Sequence, residues 1–177
     1  MKHAKIIAGV TGLLLIVAAA LVWLMPGEPK AAPDISVFTA DGEQLAFSSL
    51  RGKPVLVTFW ATTCESCVRE IPDLIDLYRE LAPQGLEIVA IAMYYDPPNQ
   101  VLAMRKARAI PYTVALDIHA DAARAFGSVR LTPTTFLIAP DGRIVYRKIG
   151  DLPFDRLQKD IMTMLEQPPA TGPAQAG

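Results

Sequence analysis

Two runs that are apolar but for Thr58 and Glu87 limit what this chain can build. VLVTFW covers residues 55–60 and LEIVAIAM covers residues 86–93. A strand with one wet face alternates apolar and polar residues, whereas a strand covered on both faces reads as a continuous apolar run. Both are therefore expected to be buried strands, and Pro54 at the edge of the first fits a strand start. Between them, Val68, Ile71, Leu74, Ile75, Tyr78 and Leu81 recur at helical spacing, which predicts a helix from about Cys64 to Leu81. Pro72 lies inside that helix and is expected to kink it, because it removes an interior hydrogen bond.

The rest of the chain repeats this alternation. ISVFTADGEQLAFSSL predicts a hairpin around Asp41-Gly42. Residues 97–109 read as a helix opened by proline, 112–117 as a short strand, and 120–126 as a short helix ended by Gly127. TTFLIAPDGRIVYRKIG predicts two strands around Asp141-Gly142. Phe154, Leu157, Ile161, Met164 and Leu165 mark one buried face of a last helix. Strands alternating with helices imply an α/β fold with a parallel core and helices on both faces, and the closing hairpin makes the sheet mixed. The expected fold class is thus three-layer α/β/α. No internal repeat is visible, and 177 residues suffice for one domain with a core.

The amino terminus has a different composition. Lys2 and Lys5 precede residues 6–25, which carry no charge. As a helix such a stretch spans about 30 Å, one hydrocarbon core. The positive flank favours the cytoplasmic side, so the domain is expected on the extracytoplasmic face of the membrane, with Trp23 near the far interface. A cleaved signal peptide competes, since Ala18-Ala19-Ala20 is small, but the apolar run continues from Leu21 to Met25. A buried core helix fits the length and lack of polar residues poorly. No cysteine follows the run, which argues against a lipoprotein anchor. Residues 26–33 read as a linker, 34–166 as the folded domain, and 167–177 as a disordered tail. The formal net charge of −1 gives no pull toward nucleic acid.

Both cysteines fall in WATTCESCVRE, as Cys64 and Cys67. A structural disulfide over so short a loop stabilises by only about 2 kcal/mol, little for a domain with its own core. Zinc needs four ligands, and the only histidines are His3, before the apolar stretch, and His119, expected at the surface. Redox chemistry fits the placement best. The pair follows a strand and opens a helix, where free N–H groups and the helix dipole stabilise a thiolate at Cys64. Cys67, one turn later on the same face, can attack a mixed disulfide formed there.

FWATTCESCVREIP (59–72) and FGSVRLTPTTFLIAPDGRIV (126–145) occur in an order that resembles the thioredoxin-like TlpA/ResA family of membrane-anchored thiol–disulfide oxidoreductases. The resemblance covers about residues 34–166, including an inserted segment between the second and third core strands. It implies a thioredoxin-like fold with Cys64 as the exposed nucleophile and Cys67 as the resolving thiol, together forming the redox-active disulfide. Pro133 matches the family's cis-proline, expected to leave a strand edge free beside the cysteines for a client peptide. Thr132 precedes it and is expected to face the disulfide. Glu70 matches an acidic residue of the reductive members, able to raise a thiol pKa and move protons, though a solvated helix charge reads as well. Trp60 matches a family aromatic and reads equally as core. Tyr94 and Tyr95 follow the second strand, where they could shape a groove, but packing is the expectation.

The resemblance further implies partners: a client protein with a cysteine pair or disulfide, such as an apocytochrome c or a copper-site assembly protein, and a membrane thiol electron donor. No soluble cofactor, metal or nucleic acid is implied. This chain departs from the family pattern at Thr63, where tryptophan is usual, at Ser66, where proline is usual, and at Thr58, where thioredoxin has a buried aspartate. These put the reduction potential in doubt and pass proton handling to Glu70 or water. Lys53, Arg69 and Arg51 are expected to bias the field toward thiolate, against Glu65. Rival readings are a disulfide oxidase or isomerase on the same scaffold and a non-catalytic client-binding module. A peroxidase is disfavoured because alanine, not threonine, occupies position 61.

Overall fold

The computed structural model describes residues 30–166. The apolar stretch 6–25, residues 26–29 of the linker and the tail 167–177 lie outside the described residues, and among those described no helix is long and apolar enough to cross a membrane.

Seven strands form one sheet. They are β1 (Ser36–Thr39), β2 (Gln44–Ala46), β3 (Val55–Trp60), β4 (Glu87–Ala92), β5 (Thr113–Leu116), β6 (Thr134–Ile138) and β7 (Ile144–Ile149). Their spatial order is β2-β1-β5-β4-β3-β6-β7. The two apolar runs sit at its centre as predicted, β3 parallel to β4 with Val55 opposite Glu87 and Trp60 opposite Ala92. β5 extends the parallel core beside β4, while the hairpins at both ends pair antiparallel. At the second hairpin turn, Gly142 takes φ +84°, and Arg51 donates to the neighbouring Asp141 carbonyl at 2.7 Å.

The helices are α1 (Glu65–Leu81), α2 (Pro98–Ala107), α3 (Asp121–Ala125) and α4 (Phe154–Glu166). α1 runs unbroken through Pro72. Proline removes one intrahelical bond there, but its ring lies on the exposed face, so the rest of the apolar stripe stays buried. Alternation along β3 divides the core. Leu56 and Trp60 pack under α1, α2 and α4, whose Ile71, Leu74, Val101, Leu157 and Ile161 are buried there. Val55, Val57 and Phe59 turn to the other face, against α3 and the 3-10 turn Phe47–Leu50. That second layer carries a ring cluster in which Phe126 meets Phe59 at 5.4 Å and Phe136 at 5.0 Å.

Candidate active site

β3 hands the chain to α1 through a tight turn. The Cys64 N–H donates to the Ala61 carbonyl at 3.1 Å. Cys64 is the N-cap of α1, and its backbone is extended (φ −86°, ψ 103°). Its Sγ stands where a capping oxygen usually stands, accepting from the Cys67 N–H at 3.2 Å. That N–H is one of the free amide groups of the helix start, and the sulfur sits at the positive end of the helix dipole. Cys64 and Cys67 form a disulfide with Cα atoms 5.3 Å apart. Ser66 Oγ lies 3.5 Å from Cys64 Sγ and is the donor, because a disulfide sulfur carries no proton. The two sulfurs differ in access: Cys64 is half-buried, and Cys67 is only 4% exposed.

Glu70 lies one helical turn after Cys67 and is buried, 6% exposed, rather than solvated. Its Oε1 accepts from the Leu152 N–H at 2.7 Å. Burial pushes its carboxyl above the usual carboxylate range. The Leu152 hydrogen bond works against that, while the charges of Asp151 and Asp73 add to it. Glu70 and Cys67 share a small internal cavity, about 10 Å³, with Thr58, Trp60 and Tyr112. That is space for about one water. Burial, helped by the charge of Glu70, raises the Tyr112 phenol. Trp60 is core, 4% exposed, and its buried Nε1–H has no hydrogen-bond partner among the described residues. Thr58 is buried, and its Oγ1 accepts from Thr135 Oγ1 at 3.0 Å.

The Thr132–Pro133 peptide bond is cis. β6 runs antiparallel to β3, with Thr134 opposite Phe59, so Pro133 stands at the same end of the sheet as the disulfide. The expected free edge is narrower than the sequence implied. β6 is flanked by β3 on one side and β7 on the other. The Pro133 carbonyl accepts from the Gly150 N–H at 2.9 Å, and the Leu131 carbonyl from Thr134 Oγ1 at 2.6 Å. Antiparallel closure by β7 takes up the Pro133 carbonyl, and the backbone of Thr132 keeps no partner among the described residues.

Two further expectations change. Tyr94 and Tyr95 are not packed: they are 56% and 49% exposed and meet edge to face at 5.4 Å. Both stand in a turn beyond the end of β4. The cationic bias also dissolves. Lys53 pairs with Glu87 at 2.7 Å and Arg51 with the Asp141 carbonyl, both before β3, about 20 Å of strand from Cys64. Arg69 is paired with Glu65 at 3.1 Å. His119 is exposed, as expected.

Sequence reasoning missed Asp96. It is 5% exposed, and its carboxylate accepts from both the N–H and the hydroxyl of Thr62, each at 2.6 Å. YYDPP announces a turn, but a turn signal does not say that its aspartate is buried against another loop.

Comparison with known proteins agrees with this geometry. Residues 29–147 match the AhpC/TSA family. The thiol–disulfide oxidoreductase ResA of Bacillus subtilis (strain 168) is 29% identical over 172 residues, 92% of this chain and 94% of that protein. ResA of Oceanobacillus iheyensis is 31% identical over 163 residues, 84% of this chain and 83% of that protein. Among solved structures, a thiol:disulfide interchange protein of the thioredoxin family from Chlorobium tepidum TLS superposes with a TM-score of 0.72 at 29% identity, covering 79% of this chain and 99% of that one.

Proposed function

This chain belongs to the AhpC/TSA family and is a thiol–disulfide oxidoreductase similar to ResA, and on that premise we propose that it reduces disulfides of client proteins outside the cytoplasm through Cys64 and Cys67. The reduced Cys64 thiolate attacks a client sulfur, forming one mixed disulfide and expelling one client thiolate. The Cys67 thiolate then attacks Cys64 Sγ and expels the second. The client gains two electrons and the chain is left with the Cys64–Cys67 disulfide described above. A membrane thiol donor reverses that oxidation. Apocytochrome c or a copper-site assembly protein would be clients of the right chemistry.

The observation that carries this reading is the asymmetry of the pair: a half-buried sulfur at a helix cap and a nearly inaccessible one behind it. An accessible sulfur receiving N–H groups is both a competent nucleophile and a good leaving group. Glu70 is the group placed to move a proton to or from Cys67, since both line one cavity and its pKa is raised toward the working range. Trp60 closes the cavity wall, and Thr132 and Pro133 bound the approach to the disulfide. The extracytoplasmic setting is supported by the uncharged stretch 6–25 behind Lys2 and Lys5.

Turnover of a disulfide-bonded protein by the reduced chain tests the chemistry. Cys64→Ser should abolish it, and Cys67→Ser should stall as a mixed disulfide through Cys64 that can be isolated with its client. Undiminished turnover without Cys64 refutes the mechanism. The reduction potential tests direction: strongly negative values support a reductase, and a value near about −120 mV supports the oxidase reading.

A further inference from the structure

Three strand ends meet at the disulfide. β3 is the middle one, and its turn Ala61–Cys64 carries the nucleophile. β4 lies on one side and ends in a second turn, Met93–Asp96, closed by the Asp96 N–H on the Met93 carbonyl at 2.9 Å. β6 lies on the other side and begins just after Leu131, which is 60% exposed. The two turns are joined twice. The Met93 N–H donates to the Trp60 carbonyl at 2.9 Å, and Asp96 holds Thr62 through both carboxylate oxygens. A buried carboxylate is expensive unless its hydrogen bonds are made, and here both go to the residue two positions before Cys64.

The second turn thus has a fixed place beside the first, and its two central residues are the exposed Tyr94 and Tyr95. Their rings pack on one another rather than on the core. Thr63, also exposed, presents no ring of its own next to Cys64. Adjacent strands are about 4.8 Å apart, so the turn carrying the two tyrosines and the segment carrying Leu131 lie on opposite sides of β3, about 10 Å apart.

We propose that the Tyr94–Tyr95 turn is a client-binding platform, held beside Cys64 by the Asp96–Thr62 clasp, for an extended polypeptide segment carrying apolar side chains next to its disulfide. Tyrosine suits such a platform because it offers a large apolar face with little rotamer entropy and a wet hydroxyl, and such residues dominate binding at interfaces. Asp96 is a positioning residue here and touches no client. The proposal rests on the reading that clients are polypeptides.

The test compares two disulfides reduced by the full reduced chain: oxidised glutathione, and a short peptide closed by one disulfide with leucines beside each cysteine. Wild-type reaction with glutathione verifies the Cys64 chemistry independently; no reaction with either disulfide defeats the oxidoreductase reading and the platform with it. The double variant Tyr94→Ser, Tyr95→Ser should slow the peptide about tenfold and leave glutathione unchanged. Both side chains are exposed, and an unchanged unfolding midpoint verifies that the variant folds. An unchanged peptide rate, or an equal fall with both disulfides, overturns the platform. Asp96→Ala should lower the ratio of peptide to glutathione rate; a fall in the unfolding midpoint at constant ratio assigns Asp96 to structure alone and overturns the clasp.

Discussion

The central strands face two different interiors. On one side, beneath α3, the alternate residues of β3 and β6 include Val57, Phe59, Phe136 and Ile138, closing on a ring cluster. On the other side, beneath α1, the residues between them include Thr58, Trp60 and Thr135, and α1 adds Cys67 and Glu70. The first face admits one polar side chain from these two strands, Thr134, and its hydroxyl is bonded to the Leu131 carbonyl at the strand end. The other buries hydroxyls, an indole N–H, a carboxyl and one sulfur of the disulfide around a small cavity. A close-packed apolar layer is the cheapest way to hold a sheet, and it frees the opposite layer to carry groups that cost stability and do chemistry.

Mutations can break this division at either face. The largest expected effect is on the apolar side. Phe136→Ala, in contact with Phe59 and Phe126 and lying under the Arg147 guanidinium at 5.6 Å, should cost about 3–5 kcal/mol in urea unfolding, with the alkylation rate of reduced Cys64 unchanged. If Cys64 reactivity fell in step, the two faces would not be separable.

A smaller effect is expected across the sheet centre. Thr58→Val strands the Thr135 hydroxyl, which donates to Thr58 at 3.0 Å in a buried setting, and should cost about 1–3 kcal/mol. Adding Thr135→Val should recover most of that loss, because two apolar partners of the same shape leave nothing unpaired. Additive losses in the double variant would assign the cost to packing instead.

The subtlest effect is one of pH. The carboxyl of Glu70 is raised above its unfolded value in the folded, disulfide-bonded protein. The folded state therefore holds its proton more tightly, so this contribution to stability is complete below the unfolded pKa and disappears as pH rises through the folded pKa. Glu70→Gln keeps an oxygen for the Leu152 N–H and has no charge to bury. Its unfolding midpoint should match wild type in acid and exceed it above the folded pKa. A difference that does not change with pH would remove burial as the cause.

Much of the fold was legible in the chain itself. The runs at 55–60 and 86–93, the helical stripe from Val68 to Leu81 and the Asp41-Gly42 and Asp141-Gly142 turns are local patterns, and each lies where its period or turn chemistry put it. The cysteine pair was legible for the same reason: its position between a strand and a helix is a fact of sequence order. Less was legible around it. Whether Glu70 meets water or core depends on the segment carrying Leu152, which folds back over α1 from more than eighty residues away. Tyr94 and Tyr95 look like core residues by composition and are exposed because their turn lies beyond the end of β4. Which part of the Pro133 edge stays open was not legible either, because β7, through Gly150, takes up the Pro133 carbonyl and leaves the Thr132 backbone.

By itself the sequence determined the α/β order, the sheet's buried centre and the presence of a dithiol at a helix start, because hydrophobic period and turn chemistry act over a few residues. Tertiary structure alone decided which charges matter. It paired Lys53 with Glu87 and Arg51 with the Asp141 carbonyl, drew Glu70 inside, and clasped Asp96 to Thr62 across thirty-four positions of chain. Burial and hydrogen bonding between distant segments set those environments, and neither leaves a local mark on the sequence.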